Sequence, residues 1–345
     1  MSTQQFLMDA ATRHQVFLQR YGNGRSKEAV KLLNRLRKKI NARLAQEPTD
    51  FQAQRLQDVL KDVDSLTKLT MGDIKKLIQL DALEFAASET EFTATMLNRV
   101  SSVTFALPAE AALIAAVETT PMSIGAMSGI TIPEALTQFG VKKGAQILQE
   151  ITDGVLLGDT TPSIARKLDT IIRTMMKRQA NTLVSTIINA VSSIARNKMY
   201  EQNERLIDRY EWVSTLDGRT TFVCMARDGK LYRVNEGPMP PAHYGCRSTT
   251  IPKVKKEFDL GLDLAGTRPS IGSSGVRQVS DKLTYGGWLK TQSREFVDEA
   301  LGIERSRLFR SGKLPIGKFV DPTGRVYTLQ QLRDMNPLVF ADLTP

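Results

Sequence analysis

A chain of 345 residues with 41% hydrophobic and 24% charged residues is long enough to bury more than one core, and its composition excludes both wholesale disorder and a collagen-like fibre. The formal charge of +10, from 47 Lys and Arg against 37 Asp and Glu, favours polyanionic neighbours such as nucleic acid, although a solvated basic face accounts for it equally well. Two cysteines exclude a disulfide-dense scaffold, and the most apolar run, Ala111 to Val117 between Glu110 and Glu118, falls far short of the ~18–20 residues of a membrane span.

The first twenty residues do not read as an export signal, because Asp9, Arg13 and His14 interrupt any apolar core, so folding in a cytoplasm is expected. From Ser26 to Gln46, Val30, Leu33, Leu36, Ile40 and Leu44 recur at three- and four-residue steps, which predicts an amphipathic helix with Ser26 as its cap. Between Lys27 and Arg43 seven basic residues face one acid, Glu28, making Lys27, Lys31, Arg35, Lys38, Lys39 and Arg43 candidates for nucleic-acid contact. No aromatics interleave to stack bases, and a solvated helix face explains the run as well. Helical spacing continues over Gln52–Leu69 and Met71–Leu97, so residues 1–103 read as a helical N-terminal region. Residues 104–133, broken by Pro108, Pro121, Gly125, Gly129 and Pro133, read as a connector of short helices and loops.

Helices resume after Pro133. Thr161 as cap with Pro162 behind it marks one start, and Leu183, Ile187, Val191 and Ile194 form a wide apolar stripe over 181–200 that fits core packing. The pattern then changes to β-like pieces at 210–215, 220–225 and 230–234, with Asp228-Gly229 as a hairpin turn. Residues 134–252 are expected to form one domain, followed by a Gly/Ser-rich linker over 253–283 and a helical extension over 284–345. The fold class expected is α+β, predominantly α-helical, with a small β-hairpin unit near residues 210–250. Gly312 to Lys318 has the spacing of a phosphate-binding loop, but Phe319 stands where a Ser or Thr hydroxyl would hold magnesium and Pro315 occupies the loop, so the match is read as chance.

Both cysteines and one of the two histidines fall between Trp212 and Arg247. Eighteen residues separate Cys224 from His243 and two separate His243 from Cys246, so a hairpin would return the first sulfur beside the close His-Cys pair. Two thiolates and an imidazole suit zinc, which needs a fourth ligand; Asp217 is the nearest charged candidate, with Asp228 or water behind it. Inert buried thiols and a Cys224–Cys246 disulfide remain as alternatives, the disulfide disfavoured in a reducing cytoplasm. A Cys224–His243 nucleophile and base would want an orienting third group and an oxyanion hole, and the sequence shows neither.

Trp212, Asp217, Arg219, Thr220, Cys224, Asp228, Gly229, Pro240, Pro241, His243, Cys246 and Arg247 stand in order. That string resembles the phage Mu F-like head morphogenesis family, whose pattern is a Trp, Asp-x-Arg-Thr, a Cys, an Asp-Gly turn and Pro-Pro-x-His-x-x-Cys-Arg. Gly158 to Leu168, the long helix before the Trp, and the tail from Thr284 to Leu314 also resemble members of this family, so the likeness extends over about residues 70–335. One departure is Val184-Ser185-Thr186-Ile187, where members often carry Arg-Thr-Glu. The resemblance implies a minor head protein of a tailed phage, located in the virion head near the portal vertex after assembly in the host cytoplasm. The implied partners are the portal protein and the major capsid or scaffolding protein, with packaged double-stranded DNA as a further candidate, and with no membrane and no enzymatic role. The alternative is a DNA-binding ejection protein delivered with the genome; a Cys/His enzyme is a third reading.

Overall fold

The computed structural model describes residues 3–47, 53–124, 129–261 and 266–341. Six helices build its larger part: α1 (Thr3–Leu44), α2 (Ala53–Asn98), α3 (Glu110–Thr119), α4 (Ile132–Leu156), α5 (Thr161–Thr170) and α6 (Lys177–Gln202), with a π-helical turn, Ile171–Met176, between the last two. The expected α+β, mainly helical class is what forms.

The central element is α6. Ile187 and Val191 are wholly buried, with Leu183 and Ile194 nearly so, and they join Leu33, Leu36 and Ile40 of α1 and Ile74 and Ile78 of α2 in one core. Each such aliphatic side chain contributes ~1.5–3 kcal/mol by leaving water, which is why the stripe is packed inside the fold. α3 adds Leu113, Ala116 and Val117 to the same core, so the predicted connector carries a packed helix; its Gly125 lies outside the described residues.

Several predicted boundaries differ. The basic helix does not begin at Ser26: it is the second half of α1, and the buried Ser26 hydroxyl donates to the Gly22 carbonyl at 2.7 Å inside the helix. The helix passes through Gly22 because that residue sits against α6, where a Cβ would lie 3.4 Å from Ser185 Cα. The two stretches predicted between residues 52 and 97 are the single helix α2, and Gln52 lies outside the described residues. The cap of α5 is Thr160, with Pro162 just inside the helix as expected.

Beyond α6, β1 (Ile207–Val213) pairs antiparallel with β3 (Leu231–Arg233) on one side and β4 (Thr249–Val254) on the other. The apolar face of this sheet packs Ile207, Tyr210 and Ile251 against Leu7, Met8 and Ala11 from the start of α1. A short strand β2 (Leu216–Asp217) follows β1, and then comes a correction: the stretch predicted as a strand over 220–225 is the helix α7 (Phe222–Arg227). Thr221 caps it in extended conformation, and the turn buries Cys224, Met225 and Ala226 on one side. Gly229, at φ +77°, still makes the reversal expected at Asp228-Gly229, leading from α7 into β3.

The Gly/Ser-rich stretch predicted as a linker also has structure. Its later half folds as the hairpin β5 (Thr267–Gly272) and β6 (Gly275–Ser280), with β5 parallel to β2. The extension comprises α8 (Tyr285–Leu289), α9 (Arg294–Leu301), α10 (Ile303–Arg310), α11 (Leu329–Met335) and α12 (Pro337–Ala341), grouped around Trp288, Leu308 and Phe319. Phe319 is wholly buried and Ile316–Lys318 is a 3-10 turn, so the Gly312–Lys318 spacing serves packing. Among the described residues no helix is long and apolar enough to cross a membrane.

Candidate metal centre

Two elements bring three of the four predicted ligands together. Cys224 comes from α7, while His243 and Cys246 come from the loop between β3 and β4, after the Pro240-Pro241 pair. Their ligand atoms all lie within 4.8 Å of one another. Cys224 Sγ is 3.3 Å from His243 Nε2 and 3.7 Å from Cys246 Sγ. Both thiols are free and buried. On a tetrahedral zinc, with Zn–S about 2.3 Å and Zn–N about 2.0–2.1 Å, two sulfurs stand ~3.8 Å apart and a sulfur and nitrogen ~3.6 Å. The two sides that meet at Cys224 have those dimensions to within a few tenths of an ångström, whereas a disulfide requires ~2.05 Å between sulfurs.

The loop is fixed from α6. Asn189 donates to the carbonyls of Cys246 at 2.9 Å and Ser248 at 3.3 Å, and the Gly245 N–H donates to Thr186 Oγ1 at 2.9 Å. His243 Nδ1 lies 3.0 Å from the Tyr244 carbonyl, which selects the tautomer with its proton on Nδ1 and turns the Nε2 lone pair to the sulfurs. Trp212 packs against both cysteines and Ala242; its indole N–H donates to Ser214 Oγ at 3.0 Å, and that hydroxyl donates to the Cys224 carbonyl at 2.8 Å. Burial would push the Cys246 thiol up, but hydrogen bonds with Cys224 and His243 outweigh it and hold Cys246 well below the ordinary thiol range. Its hydrogen bond to Cys246 and its own burial push Cys224 the other way. Burial alone would lower His243, yet Cys246 beside it raises it.

Asp217 is not among the clustered ligands, which corrects the expected fourth position. Its carboxylate accepts two bonds from Arg247, at 2.5 and 2.8 Å, together with the Arg219 N–H at 3.0 Å and the Thr220 hydroxyl at 3.2 Å. Burial would raise it, but Arg247 holds it below the ordinary carboxylate range. Asp228 is committed as well: it accepts from Arg268, from the Ser214 N–H at 2.6 Å and from the Tyr285 N–H at 2.6 Å, all within the protein. The Asp, Arg and Asp-Gly positions of the motif thus brace the Cys-His-Cys triangle, and the candidate ligands that the fold brings together are Cys224, His243 and Cys246. Arg268, in the stretch predicted as linker, gave no signal in sequence, since its partner lies 40 residues away.

The six basic candidates are not equivalent. Lys27, Lys31, Arg35, Lys38 and Lys39 are exposed along α1, whereas Arg43 is turned inward and paired with Glu47 at 2.5 Å and Asp62 at 2.6 Å. Lys31 bonds Glu28 at 2.7 Å on the surface. Among the described residues Lys27, Arg35, Lys38 and Lys39 make no ion pair, so Arg43 leaves the candidate set and these four carry the free charge.

The geometry defines a small sheet and helix laced by a Cys-His-Cys triangle and two carboxylate–guanidinium pairs. Residues 145–251 match the family described as Phage Mu protein F like protein, so that stretch of the chain is similar to that family. The match runs from the middle of α4 to β4 and contains every motif residue named above. No curated protein and no solved structure gives a match.

Proposed function

We propose that this protein is a minor head protein of a tailed phage, acting in head morphogenesis from a position at the portal and inner head. The observation that carries this reading is the Mu F-like match over residues 145–251, whose motif residues bond to one another as a bracing unit. Portal protein and major capsid or scaffolding protein are the proposed partners, and the proposed role is structural, not enzymatic. The buried thiols and the full commitment of Asp217 and Asp228 to guanidinium partners favour a knot that holds shape. Mass spectrometry of purified procapsids and virions tests the reading: the chain is expected in low copy in both, and its absence from both would sink the proposal.

Contact with packaged double-stranded DNA is a second element, favoured by Lys27, Arg35, Lys38 and Lys39 on α1, which make no ion pair among the described residues, and by the net charge of +10. Duplex binding should weaken as salt rises. Replacing Lys27, Arg35, Lys38 and Lys39 together by Gln should make the slope of log affinity against log salt shallower by about three to four, since each neutralised phosphate contributes about 0.9. Arg43→Gln should leave that slope unchanged. A salt-insensitive affinity would contradict the phosphate-driven contact.

A further inference from the structure

A cleft of about 640 Å³ opens between α4 and α6, beside the loop that carries His243. Its walls include Phe139, Lys142 and Lys143 of α4, Arg178 and Thr182 of α6, and Tyr244 at the rim. Three of these are cations, and no carboxylate lines the cleft. Lys142 and Arg178 are exposed, whereas Lys143 is only 4% exposed.

Lys143 is the unusual member. A buried ammonium ordinarily pairs with a carboxylate, because its hydration is lost and must be replaced. Here Nζ donates to the neutral Gln146 Oε1 at 3.1 Å and stands 5.9 Å from the centre of the Phe139 ring. None of the three cations makes an ion pair among the described residues. Burial, with Lys142 next in sequence, holds the Lys143 ammonium below the ordinary lysine range, the cost that an entering anion would remove.

We propose that this cleft binds a nucleotide-sized phosphate ester, its phosphate held by Lys143, Lys142 and Arg178 and its organic part against Tyr244. The volume lies within the range of small-ligand sites. The cleft lies between α4 and α6, with Lys143 only 4% exposed, so this site is distinct from the exposed basic face of α1. Tyr244 is 51% exposed and its carbonyl faces His243 Nδ1, so the ring at the cleft mouth stands on the same loop as the metal ligands. The inference does not depend on the head-protein reading.

Calorimetric titration of the full chain at constant ionic strength tests it, with a nucleoside 5′-monophosphate, the matching nucleoside, inorganic phosphate and a single-stranded oligonucleotide as titrants. The monophosphate is expected to bind, inorganic phosphate more weakly, and the uncharged nucleoside not measurably. Lys143→Met and Arg178→Gln should each weaken monophosphate binding about tenfold or more, the loss of one charge-assisted contact. Lys143→Met should melt no lower than the parent, since it removes an unpaired buried charge, and Arg178→Gln is an exposed change that tests the site without touching the core. Absence of monophosphate binding, binding by both variants as tight as by the parent, or binding of the oligonucleotide alone would overturn the proposal.

Discussion

Glu89→Ala is expected to destabilise the protein by ~3–5 kcal/mol, the cost of leaving a buried charge without its partner. Glu89 of α2 is wholly buried, and its carboxylate accepts from Arg196 Nε of α6 at 2.8 Å. His14 of α1 approaches the other oxygen at 2.6 Å, its ring stacked 3.8 Å from that of Phe92. Arg196 also donates to Thr249 of β4, so one guanidinium joins the helical layer to the sheet that positions the Cys-His-Cys loop. Removing the carboxylate leaves Arg196, 1% exposed, with no counter-charge. The double variant Glu89→Leu, Arg196→Met should recover much of the loss, because two apolar side chains need no partner. Urea unfolding measures both, and a single variant within about 1 kcal/mol of the parent would show that the pair does not act as described.

Acid should reveal the same link. Burial would raise the Glu89 carboxyl, but Arg196 and His14 outweigh it and hold it below its ordinary value. A carboxyl whose folded value lies below its unfolded one contributes stability that is fully present above the unfolded value, ~4.3. That contribution is lost as pH falls through the lower folded value. Asp217, held down by Arg247, has the same sign.

Neither of these pairs was legible in the sequence, and the reason is physical. The partners stand 107 and 30 residues apart, and a charged residue within a helical pattern reads as solvent-facing until the opposite helix is placed. A faint signal existed in α6, where Asn189, Ser192, Ser193 and Arg196 interrupt an otherwise apolar helix and are all buried. The stripe of Leu183, Ile187 and Val191 was legible because periodicity alone requires a buried face there. The chain around Thr220 to Met225 misled, since Thr, Phe and Val favour strands in isolation, whereas in the fold a helical turn buries Cys224, Met225 and Ala226 on one side. The Gly/Ser-rich stretch misled in the opposite direction: turn residues at Gly272 to Gly275 close a hairpin whose first strand contains the buried Arg268.

The motif residues were legible as a group, but their division of labour was not. The sequence reading put Asp217 in the fourth ligand position, whereas the fold gives it to Arg247 and leaves three candidate ligands. This separates two outcomes. Elemental analysis of the purified chain is expected to find about one zinc per molecule, and chelation should lower the melting temperature. Restoring zinc to about a thousandfold above its Kd should return ~4 kcal/mol, by mass action on the folded state. Cys224→Ser, His243→Ala and Cys246→Ser should lose both the metal and the response to zinc. Asp217→Asn should keep one zinc while losing stability through the unpaired Arg247, whose side chain is 19% exposed and has no other carboxylate partner among the described residues. A metal-free protein that folds fully and does not respond to zinc would overturn the assignment and leave Cys224 and Cys246 as packed thiols beneath Trp212. Loss of metal in Asp217→Asn would instead return that carboxylate to the coordination sphere, against the geometry in which both its oxygens already face Arg247.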